Sequence, residues 1–193
     1  MPRKLVQHAD DLSKLEDRHD FGLTCAWRRR VLDELGPSAR GHLIDRFAAP
    51  HNAVSARYNA LFDAPGVEAV DAFSQDWCDG LSYLLPPVTK IDAVLDKIER
   101  DNAAAIPVVP VWTLRGWWRR LASGAWEDRV AARLNLPPSA LVAHPENAEH
   151  CFFGTAFGSQ LLALRIVPRR NGPLRERDHQ TPTGARPSPA SAR

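Results

Sequence analysis

GLSYLLPP (80–87) leads through VT into KIDAVLDKIERDN (90–102), and this stretch decides the fold. An apolar run ends in two prolines. Beyond it Ile91, Val94, Leu95 and Ile98 recur at three- and four-residue spacing, which predicts an amphipathic helix over 90–102. A strand that exits through prolines into a helix is the repeating unit of an α/β layer. The same form recurs on either side of it. HLIDRF (42–47) and VEAVDAF (67–73) are short apolar runs with an aspartate near the end, and HLIDRF is followed by a loop with Pro50, Asn52 and Asn59 as breakers. AAAIPVVPVW (103–112) is a fourth run, in which Pro107 and Pro110 argue for a sheet edge or an exit rather than a central ladder.

Working outward, TCAWRRRVLDELG (24–36) sets Trp27, Val31, Leu32 and Leu35 at helical spacing, with Thr24 as N-cap and Gly36-Pro37 as the stop. LRGWWRRLASG (114–124) predicts a short helix. LVAHP (141–145), HCFFGTAF (150–157) and LLALRIVP (161–168) predict two or three strands in an antiparallel ending. The expected fold is α/β: an open, mostly parallel sheet with flanking helices and an antiparallel C-terminal edge.

The chain of 193 residues is long enough for one domain and a tail. Apolar residues make up 44% and charged residues 25%, and no window approaches the roughly 18 apolar residues of a membrane span, so a membrane partner is not expected. The N-terminus offers no apolar secretory core, which points to an intracellular protein in the cytoplasm or nucleus. Cys25, Cys78 and Cys151 lack C-x-x-C spacing and read as buried thiols. The net charge of +2 is uneven: from Pro168 onward six arginines face Glu176 and Asp178, so that this segment carries +4. Its Pro, Arg and Ser content predicts a disordered basic tail over 168–193.

In an open α/β sheet ligands sit beyond the carboxyl ends of the strands, which singles out Asp45, Asp71, Pro86, Pro87, Pro110 and Trp112. Acids at successive strand exits suit ribose hydroxyls or an amino group, and equally suit capping the next turn. The sequence after Asp45 is RFAAPHN, without the glycines of a pyrophosphate loop.

The order DRFAAPHNAVSARYNALF, VDAFSQDW, GLSYLLPPVTKIDAVLDKIE and AIPVVPVWTLRGWWRRL resembles the region downstream of the ribonuclease H segment in DIRS-type retrotransposon polyproteins. HADDLSKLEDRHDFGL resembles the exit from that segment, so the resemblance covers about residues 8–167. That region is in turn similar to phage-type DNA N6-adenine methyltransferases, which implies a Rossmann-like, methyltransferase-type sheet. Under the resemblance, Asp45, Ala48 and Asn52 fall where the cofactor pocket begins. Asp71 and Trp77 belong to the second exit, and Leu85, Pro86, Pro87 and Val88 match the catalytic N-P-P-Y or D-P-P-Y loop.

The chemistry of that loop is demanding at its outer positions. An exocyclic amine is a poor nucleophile until a side-chain oxygen and a backbone carbonyl accept its hydrogens, and an aromatic residue stacks on the extruded base. Leu85 offers no acceptor and Val88 no π-face. One lost polar contact in a transition state typically costs about 3 to 4 kcal/mol, so adenine methylation is not expected and the cofactor-binding residues are read as vestigial. Ser82 and Thr89 are the nearby hydroxyls, while alternation places Tyr83 with Leu81 and Leu85, packed.

Trp112, Trp117 and Trp118 with Arg115, Arg119 and Arg120 combine aromatic faces and cations, a composition that holds single-stranded nucleic acid, DNA or RNA. The other reading packs Trp112 and one of the pair against the sheet and solvates the arginines. The seven histidines show no zinc-ligand spacing, and no metal is expected.

The expected organisation is a remnant of the ribonuclease H exit over 1–23, a methyltransferase-like α/β domain over 24–167, and the basic tail. The resemblance implies a non-catalytic domain of a retroelement polyprotein, a pseudoenzyme joined to reverse transcriptase and ribonuclease H, that assists nucleic-acid binding. Two alternatives stand beside it: an active S-adenosylmethionine-dependent DNA adenine methyltransferase, and a decayed gene fragment without function.

Overall fold

A computed structural model of the chain describes residues 21–36, 42–124, 126–143 and 158–169. The proposed ribonuclease H remnant, apart from Phe21–Leu23, lies outside them, as do the tail beyond Arg169, HCFFGTAF and Cys151.

Nine strands and three α-helices are formed along these residues. They are β1 (Phe21–Leu23), α1 (Cys25–Leu35), β2 (Leu43–Asp45), β3 (Arg57–Ala60), β4 (Ala69–Val70), β5 (Leu81–Leu84), α2 (Ile91–Arg100), β6 (Ala104–Pro110), α3 (Gly116–Ala122), β7 (Val130–Leu136), β8 (Leu141–Ala143) and β9 (Leu161–Ile166). Seven strands form one mixed sheet in the order β4-β3-β2-β5-β6-β9-β7. The first five run parallel, and β9 is antiparallel to both β6 and β7. A separate antiparallel pair joins β1 to β8. The α/β class, the mostly parallel sheet and the antiparallel ending agree with the reading of the sequence.

Both long helices form where their apolar spacing places them. The Thr24 hydroxyl accepts the Trp27 amide at the start of α1, and Gly36 closes the helix. Ile91, Val94, Leu95 and Ile98 of α2 are all buried. Alternation along the strands builds two cores. Leu43, Leu81, Tyr83, Ile106 and Val108 meet Val31 and Leu35 of α1 on one face. Leu84, Ala105 and Val109 meet α2, Trp117 and Leu121 on the other.

Four elements depart from the sequence reading, the first being β1, whose Phe21–Leu23 fall in the stretch expected to be a linker remnant and pair with β8 instead. Asn59, expected to break the chain, sits within β3 because its side chain accepts a hydrogen bond from the buried Arg46 guanidinium. Pro107, expected at an edge, lies in the central strand β6. Pro107 is paired with Leu84 on the β5 side, while the β6–β9 register passes from Ala105–Ile166 to Val108–Ala163 and skips the proline. The strand β7 was not foreseen, although Val130, Ala132, Leu134 and Leu136 alternate in the manner of a half-buried strand. The thiols also differ from expectation: Cys25 and Cys78 are exposed, the first because it opens α1 on its outward side. No helix among the described residues is long and apolar enough to cross a membrane.

Candidate functional site

Chain direction across the sheet reverses at β2: the following strand β3 lies on one side, and β5 and β6 on the other. Ligands of open α/β sheets bind beyond the strand ends at such a reversal. Here the carboxyl ends of β2 and β5 open into a crevice lined by Asp45, Phe47, Asn52, Tyr83 and Leu85, and closed by Phe21, Leu23 and Arg28. The remaining space is about 10 Å³, close to the minimum a single water requires.

Of the residues expected here from the sequence, Asp45, Asn52 and Leu85 line the crevice. Asp45 is 2% exposed, and its two carboxylate oxygens accept the amides of Phe47 (3.3 Å) and Val54 (3.0 Å). The Asn52 carbonyl accepts the Ala49 amide at 2.7 Å. Together these bonds shape the loop that follows β2. Ala48 packs with Tyr58 and Ala60, and its amide donates to the Asn59 carbonyl. Asp71 stands apart from the crevice. It has φ 54° and caps the 3-10 turn Ala72–Ser74 by accepting the Phe73 amide at 3.0 Å.

The loop after β5 keeps the expected backbone path. Pro87 precedes a 3-10 turn over Val88–Lys90, which runs into α2. Leu85 packs beside the core that holds Leu81 and Tyr83, as alternation predicts, and Val88 packs on the opposite core. Neither nearby strand side chain supplies an acceptor at the exit. Ser82 is fully buried and its hydroxyl accepts from Arg46 Nε at 3.1 Å. Tyr83 is 1% exposed.

Two groups not foreseen from the sequence belong to residues that line the crevice. The Tyr83 hydroxyl and Arg28 Nε are buried and make no hydrogen bond among the described residues. Burial, with the Asp45 carboxylate close by, pushes the Tyr83 phenol far above its ordinary range, and Arg28 opposes this. The phenol stays neutral at any physiological pH and keeps its proton to donate.

Arg46 is a third unforeseen residue. Its guanidinium runs beneath the sheet and binds Ser82, Asn59, the Asp76 carbonyl and Asp79, the last at 2.6 Å. Trp77, fully buried, carries Arg46 and Lys97 near its ring at 5.9 and 5.4 Å and donates its indole N–H to the Ala72 carbonyl. The tryptophan expected at the second exit is thus a core residue. The sequence signal for this cluster would have been the short polar string D-W-C-D (76–79) between apolar strands, which has to satisfy its own backbone.

At the other exit, Trp112 joins both cores at the end of β6 and donates to Ser159 Oγ at 2.8 Å. Arg115 lies 5.6 Å above the Trp112 ring, and Leu114 between them is 95% exposed. Trp117 is buried and Trp118 half-buried, edge-on to it. Arg120 pairs with Asp96 (2.9 Å), Glu99 (3.1 Å) and Asp92 (3.7 Å) of α2. Arg119 is exposed. The structure therefore brings Arg115 and Arg119 toward solvent and commits Trp117 and Arg120 to the α2–α3 packing.

No family model matches the chain, and no curated protein matches it.

Proposed function

We propose that this chain is a non-catalytic, methyltransferase-like domain of a retroelement polyprotein that contacts nucleic acid beside its reverse transcriptase and ribonuclease H. Strand order supports the methyltransferase part. Counted from β2, the parallel strands read 3-2-1-4-5, the first five strands of the doubly wound order 3-2-1-4-5-6. The chain then returns through β9 antiparallel between β6 and β7, the arrangement expected of a methyltransferase-type sheet.

The observation that carries the non-catalytic part is the composition of the β5 exit. Leu85 and Val88 occupy the outer positions of the loop, Ser82 is consumed by Arg46, and Tyr83 is packed. The residues do not fit the methyl-donor cofactor either. Sites for ligands of that size are clefts of about 300–1,000 Å³, whereas this crevice is close to filled and its Asp45 shapes a loop. No methyl-transfer step is derived through it.

The nucleic-acid part rests on the β6 exit. Arg115 beside the exposed Leu114 at the end of β6, and the exposed Arg119 in α3 that follows, offer cations near an apolar tip, which suits a strand with unpaired bases. Two measurements test the reading. Calorimetry with millimolar S-adenosylmethionine is expected to show no heat, and binding heat would refute the pseudoenzyme. Labelled single-stranded DNA or RNA is expected to bind at low salt and to weaken on Arg115→Gln and Arg119→Gln. Absence of binding at low salt removes the nucleic-acid contact.

A further inference from the structure

We propose that the sheet edge formed by β3 and β4 is a docking surface for the chain's own basic segment, residues 170–193. The inference uses neither the crevice nor the nucleic-acid contact and goes beyond both.

The edge is apolar where sheet edges are ordinarily guarded by charge. Among the described residues β4 ends the sheet and pairs only with β3. At the carboxyl ends of these two strands Leu61, Phe62 and Val70 are between 41% and 53% exposed. A single exposed apolar residue is ordinary, but three at an open edge mark an interaction surface. Side chains of this size, half exposed, present on the order of 200–300 Å² together, against roughly 800 Å² for each partner of a standard interface. The patch is too small for a stable dimer and suits a short segment.

Charge and reach select the segment. LFDAPGVEAVD (61–71) holds Asp63, Glu68 and Asp71, all exposed, and no base. Arg57 pairs with Glu68 and Asp79, which leaves Asp63 and Asp71 without a salt bridge among the described residues. Residues 168–193 carry +4 and interleave arginines with prolines, with Leu174 as their one large apolar side chain. Opposite charge around the patch steers such a segment and fixes its register. The Asn102 side chain holds the backbone of Arg169 at 2.7 and 3.1 Å, so the segment departs beside the start of β6. From β6 to β4 is four strand spacings, about 20 Å. The 24 residues beyond Arg169 span up to about 75 Å in a proline-rich chain. Tethering on this scale gives an effective concentration near millimolar, so a weak contact is enough.

The experiment uses the full chain with Cys25, Cys78 and Cys151 replaced by serine and a nitroxide attached at Ser188→Cys. Paramagnetic broadening of backbone amides at low salt is expected to concentrate at Leu61, Phe62 and Val70 and to spare β7 at the opposite edge. Phe62→Ser and Asp63→Lys, both at exposed positions, are each expected to reduce it about two- to fivefold. Salt at 1 M, which shortens the screening length to about 3 Å, is expected to reduce it as well. Broadening equal at both edges, or none between Leu61 and Val70, overturns the proposal, as does localised broadening that neither substitution reduces. A mixture of isotope-labelled chain without nitroxide and nitroxide-bearing chain without isotope is expected to show none. Broadening in that mixture places a second copy's segment on the patch and overturns the assignment to the chain's own.

Discussion

Tyr83→Phe is expected to make the free protein more stable. The Tyr83 ring is 1% exposed and packed among Leu81, Ile106 and Val108, while its hydroxyl has no hydrogen-bond partner. Folding strips water from that hydroxyl and returns nothing, a loss of about 1–3 kcal/mol for a buried unsatisfied polar group. Phenylalanine keeps the ring and its contacts and removes the loss. The vacated oxygen volume adds to a crevice that is already there, so the cavity penalty is small. A gain of about 1 kcal/mol raises the melting temperature of a domain this size by about 2–4 °C. The assay is urea unfolding followed by the fluorescence of the six tryptophans, read as a shift in midpoint at constant slope. A midpoint that falls by a comparable amount refutes the reasoning, because it means that the hydroxyl makes a favourable bond in the folded state.

Arg46→Met breaks four hydrogen bonds at once and strands Ser82 and Asn59 beneath the sheet. It is expected to cost about 3–5 kcal/mol by chemical denaturation, and a loss under 1 kcal/mol would show that water replaces the guanidinium. Glu68 is held below its ordinary value of 4.5, first by its hydrogen bond from Arg57. Its contribution is therefore present above that value and is lost as pH falls through the lower folded value. Exposed pairs contribute about 0.2–1 kcal/mol, so Glu68→Gln should flatten the acid limb of the stability curve by that amount, and an unchanged limb would deny the pair any role. Leu85→Asn with Val88→Tyr restores the loop chemistry without opening the crevice. No methyl transfer from labelled S-adenosylmethionine to DNA is expected, and transfer above background would show that the two positions alone silenced the site.

The helices α1 and α2 were legible because their apolar residues repeat at helical spacing and Thr24 and Gly36 mark the ends of α1. The exits of β2 and β5 were legible because Asp45 and the proline pair end apolar runs. Strand β3 was hidden, since R-Y-N-A has little apolar content and Asn59 is a turn former in isolation; a buried arginine just beyond the neighbouring strand β2 makes it a strand residue. Pro107 misled for a related reason, because a central ladder tolerates proline where pairing skips a position. The site was legible only in part. Asp45, Asn52 and Leu85 follow from strand order, but the lid formed by Phe21 and Leu23 depends on pairing with β8, more than 100 residues away in the chain. That the Tyr83 hydroxyl lacks a partner depends on every group around it, and no local pattern encodes this.

Arg46 also bears on how such a domain could lose a catalytic role and stay folded. Many binding sites owe part of their order to the molecule that occupies them, so stability rises and falls with ligand concentration. Here the ends of β2, β3 and β5 are tied from below by one side chain through Asn59, Ser82 and Asp79. None of these partners lines the crevice above. Leu85, which packs on the crevice side, is separate from that fastening, whereas Val88 packs on the same core as Trp77, over which Arg46 lies.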